Sequence, residues 1–370
     1  VGEHAAGRDF ETLVAVKAKP GELEALLHMS SDEVRRVQPV VELLSGVAGN
    51  SRMLSRLAEI AMMLGTCGRR LMLDVSQLHP SSSLWRQPHG PFGYMARVLE
   101  EHLGLHASEV PAFVPVVCLN GTERHMARVA LVLEELGRGV ALRVPHASTS
   151  APDLPGRLER CLRRLRVDPA DVDLLLDVGF LARPPLEPDT KSVAATLTRL
   201  PWQRFRSVTL LSGSVPESRG AFDRDRSRPE HALWHQLLTR APALRYGDYG
   251  VVHPRARDGP GARGWTPRHP YLHYTRCQRS HYFTRRLPPE GVAAEENREL
   301  KRRYFGELAQ RVTELYPDAS RSWGDRVLDD YARHGGTADA SRWVAIGTSH
   351  HIAHLAAGGD LVREESPVEE

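Results

Sequence analysis

Eight short apolar runs, spaced evenly along the chain, limit what it can fold into more than any other feature. They lie at 13–19 (LVAVKAK), 37–44 (VQPVVELL), 70–76 (RLMLDVS), 113–120 (FVPVVCLN), 139–145 (GVALRVP), 173–179 (DLLLDVG), 207–214 (SVTLLSGS) and 244–252 (LRYGDYGVV). Their starts are about 33 residues apart, the length of one strand–helix unit. The stretches between them have helical periodicity. In 51–65, Met53, Leu54, Leu57, Ile60, Ala61 and Leu64 form one stripe; 122–137 opens on a Thr cap and closes on Gly; 153–166 and 229–240 read alike. Eight strands alternating with helices, with no polar edge strand, predict an α/β fold of the (β/α)8 barrel kind. A doubly wound open sheet is the alternative.

The chain is expected to be one domain over 1–370, with barrel strands and helices over 11–252. Residues 253–290, rich in Pro, Gly and Arg, are too long for an ordinary connection and make a loop or hairpin insertion at the C-terminal rim, where YLHYT and HYFTR flank a turn. Extra helices follow over 291–356: one at 293–316, one at 320–334, and one capped by Thr348/Ser349 and running through Leu355. Residues 357–370, acidic from Glu364, are expected to be a disordered tail.

Composition narrows the function classes. With 49 basic and 46 acidic residues the net charge is +3, too balanced for a nucleic-acid module, although Arg-rich 255–286 forms a local basic stretch. The lysines are Lys17, Lys19, Lys191 and Lys301; every other basic residue is arginine. A GC-rich genome explains that bias, so single arginines are weak signals and the neighbouring Lys17 and Lys19 stand out. Four widely spaced cysteines form no Cys-x-x-Cys. No run approaches 18 apolar residues and the first residues are polar, so a cytoplasmic protein without a membrane span is expected. G-x-x-x-x-G-K-[ST], G-x-G-x-x-G and G-x-S-x-G are all missing, which disfavours P-loop, nicotinamide-binding Rossmann and α/β-hydrolase chemistry.

The strand ends carry the functional signal. Each run is apolar for three to five residues and then turns charged or hydroxylic: Lys17 and Lys19, Glu42, Asp74, Arg143, Asp177, Ser212 and Ser214, and Asp248. Strand four offers only Asn120, after Cys118. Strand-end Asp and Ser also cap helices, but seven ends of eight behaving alike point to a polar pocket at the C-terminal rim of a barrel. Two readings remain open there. Carboxylates Glu42, Asp74 and Asp177 could hold a divalent cation such as Mg or Mn, while Lys17, Lys19 and Arg143 receive a phosphorylated ligand. Alternatively, the opposite charges pair with one another. Asp74, Asp177 and Asp248 are the candidate acid/base groups; an enzyme here would run metal-assisted hydrolysis or transfer on a phosphorylated substrate rather than redox chemistry.

Further candidates are weaker. His350 and His354, four apart, are a zinc-like pair without the H-E-x-x-H glutamate. GSVPE at 213–217 could bind phosphate. GDYG brackets Asp248 and Tyr249 with glycines. Tyr274 and Arg276, in YLHYTR, could line a lid over a ligand.

An ordered set of motifs resembles the phage and bacterial protein beta family. It comprises Val14, Lys17, Lys19, Gly21, Glu22 and Leu23; LLLDVG at 174–179; SVTLLSGSVPE at 207–217; RPEHALW at 228–234; YGDYGVVHP at 246–254; HYTR at 273–276; and Trp343, Gly347, His350 and His351. The resemblance spans about 13–355. It implies a protein of prophages, phage satellites and bacterial defence islands, acting in phage–host conflict and restraining a toxic neighbouring gene product. It implies no reaction, cofactor or catalytic residue. The positions that carry over are Lys17, Lys19, Asp177, Glu230, Asp248, Tyr249, Tyr274 and His351. A non-enzymatic immunity or scaffold role would instead show as an exposed apolar patch on 253–290 or the C-terminal helices.

Overall fold

The computed structural model describes residues 10–105, 113–136, 139–146, 153–217, 223–255, 269–287, 294–317, 322–336 and 338–358. All eight apolar runs form strands. β1 (Thr12–Lys17), β2 (Val37–Glu42), β3 (Met72–Asp74), β4 (Val114–Cys118), β5 (Val140–Pro145), β6 (Val172–Phe180) and β7 (Ser207–Gly213) follow one another around a barrel. After β8 (Arg224–Ser227), which lies elsewhere, β9 (Arg245–Asp248) pairs parallel with both β7 and β1 and closes it. Closure rules out the open sheet. Strands this apolar suit burial on both faces: one set of side chains fills the barrel and the other packs under the helices.

The helices start where local chemistry lets them. α1 (Pro20–Leu27) takes Pro at its first position, where the missing N–H costs nothing. α2 (Ser31–Arg36) is entered through a Ser30/Glu33 capping box, and α3 (Ser51–Thr66) is capped by Asn50 and buries the expected stripe. α4 (Gly90–Leu103), α5 (Glu123–Leu136), α6 (Leu154–Leu165), α7 (Glu187–Arg199) and α8 (Pro229–Leu238) continue the alternation.

The chain then leaves the barrel. β10 (Tyr271–Arg276) and β11 (Arg279–Thr284) form an antiparallel hairpin, and β8 adds to β11 as a third strand. RDRS was not expected to be a strand: all four side chains are exposed, so only its backbone pairing reveals it. α9 (Ala294–Leu315) and α10 (Trp323–His334) cover the hairpin around Leu272, Tyr274, Phe283, Phe305, Leu308 and Trp343. α11 (Ala340–Ala356) returns to pack on α1, α2, β1 and β2, the place of a barrel's eighth helix. It begins eight residues before the expected Thr348/Ser349 cap. Asp339 is the cap; Thr348 and Ser349 are interior, and Ser349 Oγ accepts from Gly324 N at 3.1 Å. The expected acidic tail from Glu364 and most of Arg-rich 255–286 before His269 lie outside the described residues. No helix among the described residues is long and apolar enough to cross a membrane.

Candidate functional site

Register brings the charges together. Lys17 on β1 is level with Glu42 on β2, and Glu42 with Asp74 on β3. Leu13, Ala15, Val40, Met72, Val116, Ala141, Leu175 and Leu211 form the barrel's inner core. Counting on by two from these inward positions reaches Lys17, Glu42, Asp74, Arg143 and Asp177. Tyr249, just past β9, joins the same inner face. Six of the expected residues therefore converge at the C-terminal mouth.

Arg143 is the hub. Its Nη1 donates to Glu42 Oε1 at 2.8 Å, to Ser76 Oγ at 2.8 Å and to Asp74 Oδ2. Its Nε and Nη2 hold Asp177 Oδ2 at 3.0 and 2.9 Å, and Nη2 also donates to the Tyr249 hydroxyl. That hydroxyl passes its own proton toward Asp177 Oδ1 at 2.6 Å. Lys17 Nζ pairs with Glu42 Oε2, donates to Pro254 O at 2.6 Å and sits 5.0 Å from the Tyr249 ring centroid. Burial alone would lower the Arg143 guanidinium, but Tyr249 and the three carboxylates hold it protonated well above its ordinary value. Burial pushes the Tyr249 phenol up, and neighbouring Asp177 and Glu42 push it further, so it stays a donor.

The opposite charges pair, the second of the two readings the sequence left open. Two cations face three carboxylates, which leaves one surplus negative charge. Glu42 and Asp74 are sealed, at 0% and 1% exposure, whereas the Asp177 side chain is 13% exposed and is the carboxylate that meets solvent. Lys17 and Arg143 are thus already committed and do not present a free anion clamp. Glu42, Asp74 and Asp177, expected as metal ligands, have their oxygens on Lys17, Arg143, Tyr249 and the backbone N–H groups of Ser76 and Gly179. No group of three or more His, Cys, Asp or Glu among the described residues has an arrangement that would hold a metal. From strand four it is Cys118, beside Asp74, Arg143 and Asp177, that faces this cluster, its thiol raised by burial. Asn120 instead accepts from Arg157 at the surface.

The remaining expected residues are elsewhere. Asp248 immediately precedes Tyr249 and so points out of the barrel. There its Oδ2 accepts from Arg228 Nη2 (3.0 Å) and Tyr246 Oη (2.8 Å), and its Oδ1 accepts from Gly250 N (2.9 Å) and meets His351 Nε2 (2.9 Å). Burial would raise this carboxyl, but His351, Arg228 and the Gly250 amide hold it below its ordinary value. Ser212 is level with Asp248 and is buried with no partner for its hydroxyl. Ser214 bonds to Glu230, whose carboxyl burial pushes up. Lys19 has left the strand and is the residue before α1.

Tyr274 and Arg276 belong to the hairpin's packing rather than to a lid over the mouth. Tyr274 is stacked between Tyr316 and His350 and donates to Asp325 at 3.2 Å; Arg276 lies over the Tyr316 ring. His350 has both ring nitrogens engaged, with Asp325 Oδ1 and Thr275 O, so it and His354 do not form a zinc pair.

Two residues of structural weight were not singled out from sequence. Arg228, 2% exposed, ties β10, Glu230, Tyr246 and Asp248 together; in an arginine-rich chain it carried no distinguishing signal. Glu22 is buried in the first turn of α1, with Oε1 unpartnered, and desolvation lifts its carboxyl to about 7 despite Lys19 and Lys17. Its signal was its place directly after the Lys17–Lys19 strand end.

Fold and site define the class: a (β/α)8 barrel whose C-terminal mouth holds an internally paired charge cluster. The chain belongs to the Beta protein family, whose family model matches residues 14–357. No curated protein matches it. Among solved structures it is similar to a 3-hexulose-6-phosphate synthase (11% identity, 65% of this chain and 90% of that one, TM-score 0.33). It is also similar to triosephosphate isomerase from Bartonella henselae (10%, 65% and 92%, 0.34) and to the YdjI aldolase from Escherichia coli K12 (8%, 95% and 92%, 0.39).

Proposed function

We propose that this barrel binds a small phosphorylated, nucleotide-like ligand at its C-terminal mouth through the ligand's hydroxyl or ring N–H groups rather than its phosphates, and that it does so in conflict between phages and bacterial hosts. The observation that carries the reading is Asp177: a carboxylate open to solvent, fixed by Arg143 and Tyr249, above a cluster with one surplus negative charge. Such a group accepts hydrogen bonds from the hydroxyls or ring N–H groups of a ligand and is placed to exchange a proton with it. The phage–host setting is supported by family membership alone. An immunity role needs an apolar patch on 253–290 or the C-terminal helices, and the large exposed apolar side chain found there among the described residues is Leu315.

Thermal unfolding of the whole chain against nucleotides, sugar phosphates and divalent cations tests the reading. A ligand of the native state raises the Tm by mass action. The expected result is, for at least one ligand of the panel, a shift in the wild type that Asp177→Asn removes, together with loss of protection by that variant in a phage-challenge assay. Equal shifts in both proteins with every ligand, or none in either, defeat the proposal.

A further inference from the structure

A second cavity, of about 1050 Å3, lies beside the mouth and is lined by none of the groups described there. It begins at Pro20, three residues beyond Lys17, and its walls come from the starts of α1, α3 and α11 and from α9. Five cationic side chains line it, Arg52, Arg56, Lys301, Arg302 and Arg342, against the two carboxylates Glu24 and Asp339. Both carboxylates are engaged. Glu24 pairs with Arg342, and Asp339 Oδ1 accepts from Arg342 N at 2.8 Å as the cap of α11. Arg56 reaches only a carbonyl, Pro20 O, at 3.0 Å. Arg52, Lys301 and Arg302 have no hydrogen-bond or ion-pair partner among the described residues.

Unpaired cations gathered around one cavity repel each other, and an anion between them relieves that. Arginine and lysine together suit phosphate oxygens, and the opening turn of α3, capped by the neutral Asn50, adds partial positive charge to the same wall. The cavity is larger than an inorganic ion needs; it lies just above the roughly 300–1,000 Å3 of small-molecule sites. Aromatic rings form part of the remaining lining. Phe305 and Trp343 stack at 4.7 Å, Tyr331 is half-buried beside them, and the buried indole Nε1–H of Trp343 has no acceptor among the described residues.

We propose that this cavity is a binding site for a nucleoside polyphosphate, with Arg52, Arg56, Lys301 and Arg302 on the phosphates and the aromatic wall beside the base. It shares a ligand class with the reading of the mouth but uses none of its residues, so either can fail alone.

Calorimetric titration of the full chain with ATP and with pyrophosphate, in the presence of EDTA, tests it. Lys301 and Arg302 lie on α9 away from the barrel core, so the double variant Lys301→Glu/Arg302→Glu is expected to keep the unliganded Tm. ATP and pyrophosphate should bind the wild type, and the double variant should weaken both by about ten-fold or more, the loss expected for charge-assisted hydrogen bonds. Asp177→Asn should bind pyrophosphate, which offers the mouth no sugar hydroxyl or ring N–H, with unchanged affinity. The proposal is overturned if the double variant binds pyrophosphate as the wild type does, or if Asp177→Asn abolishes pyrophosphate binding. Absence of binding at millimolar ATP also overturns it, as does binding confined to single-stranded oligonucleotides with a steep salt dependence.

Discussion

At the scale of single residues, neighbouring positions carry very different loads. Tyr249 faces into the barrel and Asp248 out of it, because adjacent strand residues point to opposite sides. The sequence showed that strand ends turn polar but not which face each end takes. Both faces of these strands are apolar, so no alternation marks the inside. Lys17, Glu42, Asp74, Arg143 and Asp177 were legible as a group; Asp248, Ser212 and Ser214 looked the same and lie across the wall. Arg143 balances three carboxylates, so Arg143→Gln should destabilise the fold by about 3–5 kcal/mol at pH 7, as removal of one partner of a buried ion pair does. Urea unfolding at pH 7 would measure it. Glu22 behaves in the opposite sense. Its carboxyl is raised in the folded chain to about 7, so its protonated form is favoured and the stability it allows is lost as pH rises through 7. Glu22→Gln should therefore match the wild type near pH 4 and exceed it at pH 8 by up to about 3 kcal/mol.

At the scale of elements, the barrel strands were readable because burial on both faces writes itself as an apolar run. β8 was unreadable for the converse reason: Arg224–Ser227 buries no side chain and is held by β11 through the backbone. The early start of α11 was hidden by interior Thr348 and Ser349, which look like a cap. Close backbone approach fixes α11 in place. A Cβ on Gly347 would stand 2.8 Å from His273 O on β10, and one on Gly21 would stand 2.3 Å from Ser341 O. Neither oxygen can move without shifting its element. Gly347→Ala and Gly21→Ala should each cost about 1–3 kcal/mol, the usual penalty of overpacking, and chemical denaturation would measure it. Gly46→Ala, with nothing within 4 Å of the added carbon, serves as the control.

At the scale of the whole molecule, the C-terminal end of the barrel carries two unlike surfaces. The mouth holds more acid than base, and the cavity beside it holds more base than acid. A net charge of +3 averages the two away, so composition gave no hint of either. High salt should weaken ligand binding in the cavity, while the sealed pairs of Glu42 and Asp74 with Arg143 are shielded from it. Titrating ATP at 50 and 300 mM salt would separate the two behaviours.

The route of the chain also sets an order of events during synthesis. β1 precedes the other barrel strands, yet it waits for β9 on one edge, about 230 residues later, and for α11 over its outer face, more than 300 residues later. Until α11 is made, the outward side chains of β1 and β2 are only partly covered, by α1 and α2. A chain stopped before Ala340 is therefore expected to expose that apolar wall, bind hydrophobic dyes and aggregate. Contacts so distant in sequence slow assembly, and a nascent chain of this design depends on α11, or on a chaperone standing in for it, to become a closed barrel.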